Sequence, residues 1–156
     1  LDDFIAFVQD KPVSLRFIEL MRTGDNQDYF TEHHLPGTRV TERLLAQGWR
    51  MKPRVDGAGP AQEFEHPQSI GTIGLIAPYS KDFCKSCNRL RMSAKGALHL
   101  CLFGEGGYSV RHLLQSDEQQ EELQEKIMAL MNFKKSAHFL HDNNSGVRDH
   151  LASIGG

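Results

Sequence analysis

Apolar residues recur at helical spacing from the first positions of the chain. Phe4, Ile5 and Val8 lie on one side of a short helix that Asp10-Lys11-Pro12 brings to an end. Val13 to Leu20 then places apolar residues on both faces of a strand, the pattern of a strand covered on both sides and commonly a parallel one. A helix followed by such a strand is a piece of an α/β repeat with too few partners, and Leu1 enters it directly with no Met, so the chain reads as beginning mid-fold. Thr23-Gly24-Asp25-Asn26 is a loop, and Thr38 to Gln47 is predicted as a helix with Val40, Leu44 and Leu45 on one face and Gly48 as its stop. Val55 to Pro60 is a loop, and Ala61 to Glu65 and Thr72 to Ile76 are short strands expected to pair antiparallel. Ser116 with Gln119 predicts a capping box. The stripe Leu123, Ile127, Leu130 and Met131 then predicts a core-facing helix, with Glu122 and Lys126 as a supporting pair and Met128 and Met131 as packing residues. No internal repeat or low-complexity tract interrupts the chain.

With 156 residues the chain can bury a real core without a disulfide or a metal. Lys and Arg number 18 and Asp and Glu 20, for a net charge of −2, so no diffuse positive field is available to hold nucleic acid or a membrane surface. An anion must be bound by a local cluster. No apolar run approaches a membrane span, and the first ten residues have no basic region, apolar stretch or cleavage site of a secretion signal. The expected compartment is the cytoplasm.

The three cysteines all fall between positions 84 and 101. Cys84-Lys85-Ser86-Cys87 is a Cys-x2-Cys turn that lets two sulfurs converge on one centre, and after thirteen intervening residues comes Cys101. An odd number of thiols does not make a disulfide framework, and clustered thiols in a reducing compartment point to metal binding or chemistry. Between them, Ala94-Lys95-Gly96 has the glycine that a three-residue hairpin loop wants, so Ser93 should pair with Ala97. Counting back sets Arg91 opposite His99 and Arg89 opposite Cys101. Arg89, Arg91, His99 and Cys101 then share one face of the hairpin, and Leu90, Met92, Leu98, Leu100 and Leu102 the other. Strand arginines are commonly just solvated, but two guanidiniums beside a thiolate-bound metal suit an anionic ligand.

Three thiols leave a four-position site one ligand short. If His99 or His112 fills the gap, the site is a structural zinc of the Cys3His type in a non-enzymatic binding module. If nothing from the chain fills it, one iron of a cubane cluster is open to an outside ligand. A redox dithiol at Cys84 and Cys87 is a third reading. His33, His34, His66, His138, His141 and His150 lack metal-ligand spacing and read as surface or capping residues. A terminal Gly-Gly also occurs in ubiquitin-like sulfur carriers, but that role requires neither a metal-type cysteine set nor a long amphipathic helix near the end.

These residues resemble the molybdenum cofactor biosynthesis protein A family, the radical S-adenosylmethionine GTP 3′,8-cyclases. The resemblance lies in Arg16-Phe17-Ile18-Glu19-Leu20-Met21, Asp56 to Ala61, Ile73-Gly74-Leu75-Ile76, Phe83 to Arg91, Leu100-Cys101-Leu102-Phe103 and Ile154-Gly155-Gly156, in order along the chain. It implies that Cys84, Cys87 and Cys101 hold the C-terminal 4Fe-4S cluster, whose open iron faces the guanine of GTP. It implies further that Arg89, Leu90 and Arg91 line the GTP site and that Met21 touches the adenosine of S-adenosylmethionine. Gly155 and Gly156 match the family's terminal pair, which is needed for the first hydrogen abstraction.

The Cys-x3-Cys-x2-Cys motif that holds the family's S-adenosylmethionine-cleaving cluster occurs nowhere in this sequence. The expectation is therefore a C-terminal portion of a cyclase, a lyase, that is inactive alone, with S-adenosylmethionine and the second 4Fe-4S cluster belonging to the longer parent. The implied fold class is α+β. The terminal βα part of an incomplete (β/α)6 radical-SAM barrel would occupy 1–50, followed over 51–156 by a small antiparallel β-sheet domain with covering helices that binds iron-sulfur and GTP. GTP is the expected partner, with no nucleic acid and no membrane, and a homodimer of the longer protein is left open.

Overall fold

The computed structural model describes residues 1–85, 87–104, 106–138, 140 and 154. The chain divides into two compact units, Leu1–Met21 with Tyr29–Cys87, and Arg22–Asp28 with Asn88 onward. The overall class is α+β, with one mixed and one antiparallel sheet.

The first unit is built on a four-stranded sheet. Its elements are α1 (Asp2–Gln9), β1 (Ser14–Ile18), α2 (Gln27–His33, whose first two residues group with the second unit), α3 (Gly37–Ala46), β2 (Arg50–Met51), β3 (Gln62–Glu65) and β4 (Thr72–Ile76). The spatial order is β1-β4-β3-β2. β1 runs parallel to β4 with Ser14 against Thr72 and Ile18 against Ile76, and β3 runs antiparallel to β4. Both orientations agree with the sequence pattern. β4 lies between two strands, and Ile73, Gly74 and Leu75 are all buried, as expected for a central strand. The core joins Ile5 and Val8 of α1, Leu44 of α3, Trp49, Phe64, Ile73 and Leu75.

Gly71 shows why the sequence folds this way. The Gly71 N–H donates to Val8 O at 3.0 Å and that of Ile70 to Gln9 O at 2.9 Å, so the strand leading into β4 satisfies the last carbonyls of α1. A Cβ at Gly71 would stand 2.6–2.7 Å from the carbonyl oxygens of Lys11, Val13 and Val8. No side chain fits where three main-chain oxygens converge.

Several expectations need correction. β1 is an edge strand with alternating exposure, and Ile18 is 60% exposed, so it is not covered on both faces. Arg16, on its open face, pairs with Glu63 at 2.7 Å. Leu45 is exposed; α3 turns Val40 and Leu44 inward and ends before Gly48, whose φ of 88° is the left-handed value expected of the stop. α2 and β2 carried no apolar periodicity and were not predicted.

The second unit contains β5 (Arg91–Met92), β6 (Ala97–His99), β7 (Tyr108–Ser109), two short 3-10 turns at Arg111–Leu113 and Asp117–Gln119, and α4 (Gln120–Met131). The strands form an antiparallel sheet in the order β5-β6-β7. Leu98, Leu100, Val110 and Leu130 make its core, with Leu123 and Ile127 of α4 packed against them. The capping box is formed: Ser116 Oγ accepts from the Glu118 N–H, and the Gln119 side chain accepts from the Ser116 N–H. Met128 and Met131 are 65% and 37% exposed, so they are not core filler; α4 buries a narrower stripe than its sequence suggests. Among the described residues no helix is long and apolar enough to cross a membrane.

Candidate functional site

Cys84 and Cys87 close the first unit. The chain there folds into successive turns, with Phe83 N–H donating to Ser80 O at 3.2 Å, Lys85 N–H to Asp82 O at 3.1 Å and Cys87 N–H to Cys84 O at 3.1 Å. The last of these gives the Cys-x2-Cys segment the tight turn that its spacing predicts. Lys85 and Asp82 form an exposed ion pair at 2.7 Å. The ammonium holds the Asp82 carboxyl below its ordinary value, and the carboxylate raises Lys85. Cys84 is half-buried and Cys87 exposed.

The second unit carries the hairpin in the predicted register. Arg91 lies opposite His99 and Met92 opposite Leu98, Ser93 N–H donates to Ala97 O at 2.9 Å, and Gly96 takes the left-handed φ of 74°. Gly96 also leaves room for Arg111, whose Cβ would lie 2.8 Å from an added methyl. The ladder stops at Arg91, so Arg89 and Cys101 do not pair as strand residues. In its place the Lys134 ammonium, beyond the end of α4, donates to Arg89 O at 2.9 Å and to Leu100 O at 2.5 Å. Arg89 and Leu90 are exposed, Arg91 and Cys101 half-buried.

The two faces are less cleanly divided than alternation implies. Leu98 and Leu100 enter the core with Leu123, Ile127 and Leu130 of α4, whereas Leu90 and Met92 are exposed. His99 is the larger correction. Its side chain is not on an open face: the residue is 7% exposed and its Nδ1 lies 3.1 Å from Gly106 O. Gly107 presses on the ring so closely that an added Cβ would stand 2.3 Å from Cε1 and 2.7 Å from Nε2. The strand responsible is β7, which pairs with β6 through Ala97–Ser109 and Leu98–Tyr108. His112 sits exposed in a 3-10 turn.

Next to Cys101 is a pocket of about 270 Å³, whose lining includes Phe103, Gly106, Tyr108, Phe133 and His138. The three cysteines form no disulfide. Among the described residues, no group of three or more His, Cys, Asp or Glu side chains is gathered so as to hold a metal ion. By kind, three thiols suit a thiolate-bound iron-sulfur group. Met21 is half-buried three residues beyond the end of β1, and Gly155 and Gly156, with His141 and His150, lie outside the described residues.

Two features went unread in the sequence. His34 is not a plain surface residue: its Nε2 lies 3.0 Å from Glu19 Oε1, a carboxylate only 2% exposed, and its ring stacks on Phe30 at 4.4 Å. An acidic residue inside an apolar strand was the available signal. Lys134 gave none, since a lysine after a helix is ordinary.

Residues 13–140 match the family described as Molybdenum Cofactor Synthesis C. The chain belongs to that family. Among its relatives are proteins named GTP 3′,8-cyclase from Vibrio parahaemolyticus and Stenotrophomonas maltophilia, each 54% identical over the whole of this chain, and from Haemophilus ducreyi, 53% identical over the same length. The match covers 47%, 48% and 46% of those three proteins respectively, so the chain spans about half the length of the curated relatives it matches.

Proposed function

We propose that this chain is the cluster- and nucleotide-binding half of a radical S-adenosylmethionine GTP 3′,8-cyclase, acting in the first step of molybdenum cofactor synthesis in the cytoplasm. In this reading Cys84, Cys87 and Cys101 hold a 4Fe-4S cluster, and Arg89, Leu90 and Arg91 bind GTP. A cluster with three protein thiolates keeps one iron open, where a purine heteroatom can bind. Residues 1–50 belong to the barrel part of a longer protein and 51–156 to the part that carries the GTP site, with the sheet of β1 to β4 shared between the two. Met21 reaches the adenosine of S-adenosylmethionine, and Gly155 and Gly156 reach the reacting ribose.

The observation that supports the reading is the Arg91–His99 pairing, the register expected of a hairpin that follows the Cys-x2-Cys turn in the chain and leads on to Cys101. Metal binding is coupled to folding, because a preformed site rarely exists in the unfolded chain. What the chain's own residues contribute is positioning. The guanidiniums offer forked donors to an anion, and fixing the nucleotide lowers the barrier by removing motions that would otherwise be lost in the reaction.

The test is an anaerobic iron, sulfide and zinc count on the reconstituted chain, beside GTP binding. About four irons with sulfide per chain support the proposal; one zinc favours a structural Cys3His module instead. Cys101→Ser should lose the iron, whereas Arg89→Ala should weaken GTP binding and keep it. Equal loss of iron in both variants overturns the division of roles. Cyclised product from the isolated chain would overturn its assignment as an incomplete enzyme.

A further inference from the structure

We infer that Lys134 is a positioning residue that fastens the open end of the β5–β6 hairpin and thereby presents Arg89 and Cys101 to their ligands. This rests on the proposed reading of the site only for what those two residues bind.

The ladder ends at Arg91–His99, two residues short of the Arg89–Cys101 level. A two-residue strand such as β5 gives little protection against fraying, and Arg89 and Leu90 are exposed on its free end. Lys134 spans that end. Its ammonium donates to the carbonyl of Arg89, on the strand leading into β5, and to the carbonyl of Leu100, immediately before Cys101. One side chain therefore replaces the missing ladder bonds across the hairpin. Lysine suits this because an ammonium carries three donors and no acceptor, so it can bridge two carbonyls at once. Hydrogen bonds from a charged donor are also stronger than the neutral ones they replace.

The anchor is itself held. Lys134 N–H donates to Met131 O at 3.0 Å, closing the turn that leaves α4, and Leu130 of that helix is buried with Leu98 and Leu100. The staple thus ties the hairpin end to the helix that packs on its middle. A lysine whose role was only to attract nucleotide phosphate would not need to spend its donors on these two carbonyls.

The experiment compares the 156-residue chain with Lys134→Met, which keeps the stem and removes the donors, and Lys134→Arg, which keeps both charge and donors. The first readout is amide hydrogen exchange of the metal-free protein at Arg91–Met92 and Ala97–His99. The second is GTP binding after anaerobic reconstitution. Exchange at the hairpin should speed up in Lys134→Met by about tenfold, GTP affinity should fall by a similar factor, and Lys134→Arg should restore most of both. Unchanged exchange in Lys134→Met overturns the staple. Faster exchange with unaltered GTP affinity overturns the positioning role. A wild-type chain that binds neither iron nor GTP sinks the reading of the site and the positioning role with it, while the exchange comparison still decides whether the ammonium closes the hairpin.

Discussion

Substituting Gly107 by Ala adds one methyl group against the ring of His99, and the consequences can be worked from distances. The new Cβ would stand 2.3 Å from Cε1, 2.7 Å from Nε2 and 2.8 Å from Nδ1 of the imidazole. Ordinary carbon contacts begin near 3.5 Å, so the ring or the chain must yield by about 1 Å. Gly107 is not in the left-handed region, so the cost comes from contact and not from backbone conformation. His99 has little freedom to move: it is 7% exposed, lies within β6 and is tied to Gly106 O at 3.1 Å. Overpacking of this kind costs about 1–3 kcal/mol. Losing the bond to Gly106 adds about 1 kcal/mol. The decisive comparison is with His99→Ala, which by itself should also destabilise by removing a buried ring. In the double variant the methyl occupies space that the ring has vacated, so the two costs should fall short of their sum by about 1–3 kcal/mol. Hydrogen exchange at Leu98 and Tyr108, together with denaturant unfolding, measures this in the unit concerned. Gly107→Ala with wild-type stability, or two costs that simply add, would refute the packing of Gly107 on His99.

Gly71→Ala should be more damaging still, because its methyl meets three main-chain oxygens that cannot move aside; we expect little folded protein, judged by the signal of buried Trp49. Phe64→Ala removes a wholly buried ring from the same core as Trp49 and should cost about 3–5 kcal/mol in denaturant unfolding followed by tryptophan fluorescence. Ser116→Ala breaks the capping box that leads into α4 and should cost about 1 kcal/mol, read as a lower melting temperature of that helix. Asp2 is exposed and its carboxyl is held below the ordinary value of 3.8, first by the hydrogen bond from Arg43 and then by that from Gln47. A depressed acid stabilises the fold above its unfolded value and ceases to do so as pH falls through its folded value. The stability difference between wild type and Asp2→Asn should therefore be present above pH 3.8 and shrink below it in acid titrations.

Signals that act over a few residues were legible in the sequence. The turn at Ala94-Lys95-Gly96 fixed the hairpin register, the Ser116 and Gln119 pair marked the start of α4, and Gly48 marked the end of α3. The pairing of β3 with β4 and the parallel partner for β1 also follow from pattern. What failed was everything that depends on a third element. Leu90 and Met92 have the right alternation to be buried, but they stay exposed while Leu98 and Leu100 join the core with α4. His99 has the right parity to face a metal, but β7 and its glycines close over it. Apolar character on both faces of β1 did not predict cover, because Ile18 lies on an edge strand and stays exposed. In the candidate site, local pattern placed the turn at Cys84–Cys87 and the pairing of Arg91 with His99, but not the expected pairing of Arg89 with Cys101, and gave no hint of Lys134.

The same distinction bears on how the proposed anion site would be built on so short a strand. If the ladder had continued to Arg89 and Cys101, the main chain there would be rigid at the cost of alternation: side chains would stand where the pleat puts them, one per face. Ending the ladder at Arg91 releases that constraint, so Arg89 can be presented independently of Arg91. Released chain frays, and a frayed guanidinium loses binding free energy to the entropy of being ordered by its ligand. A lysine that holds main-chain carbonyls without dictating side-chain direction meets both demands at once. Replacing it with a hydrophobic residue should therefore harm presentation of the site more than overall folding, whereas core substitutions such as Phe64→Ala should do the reverse in their own unit.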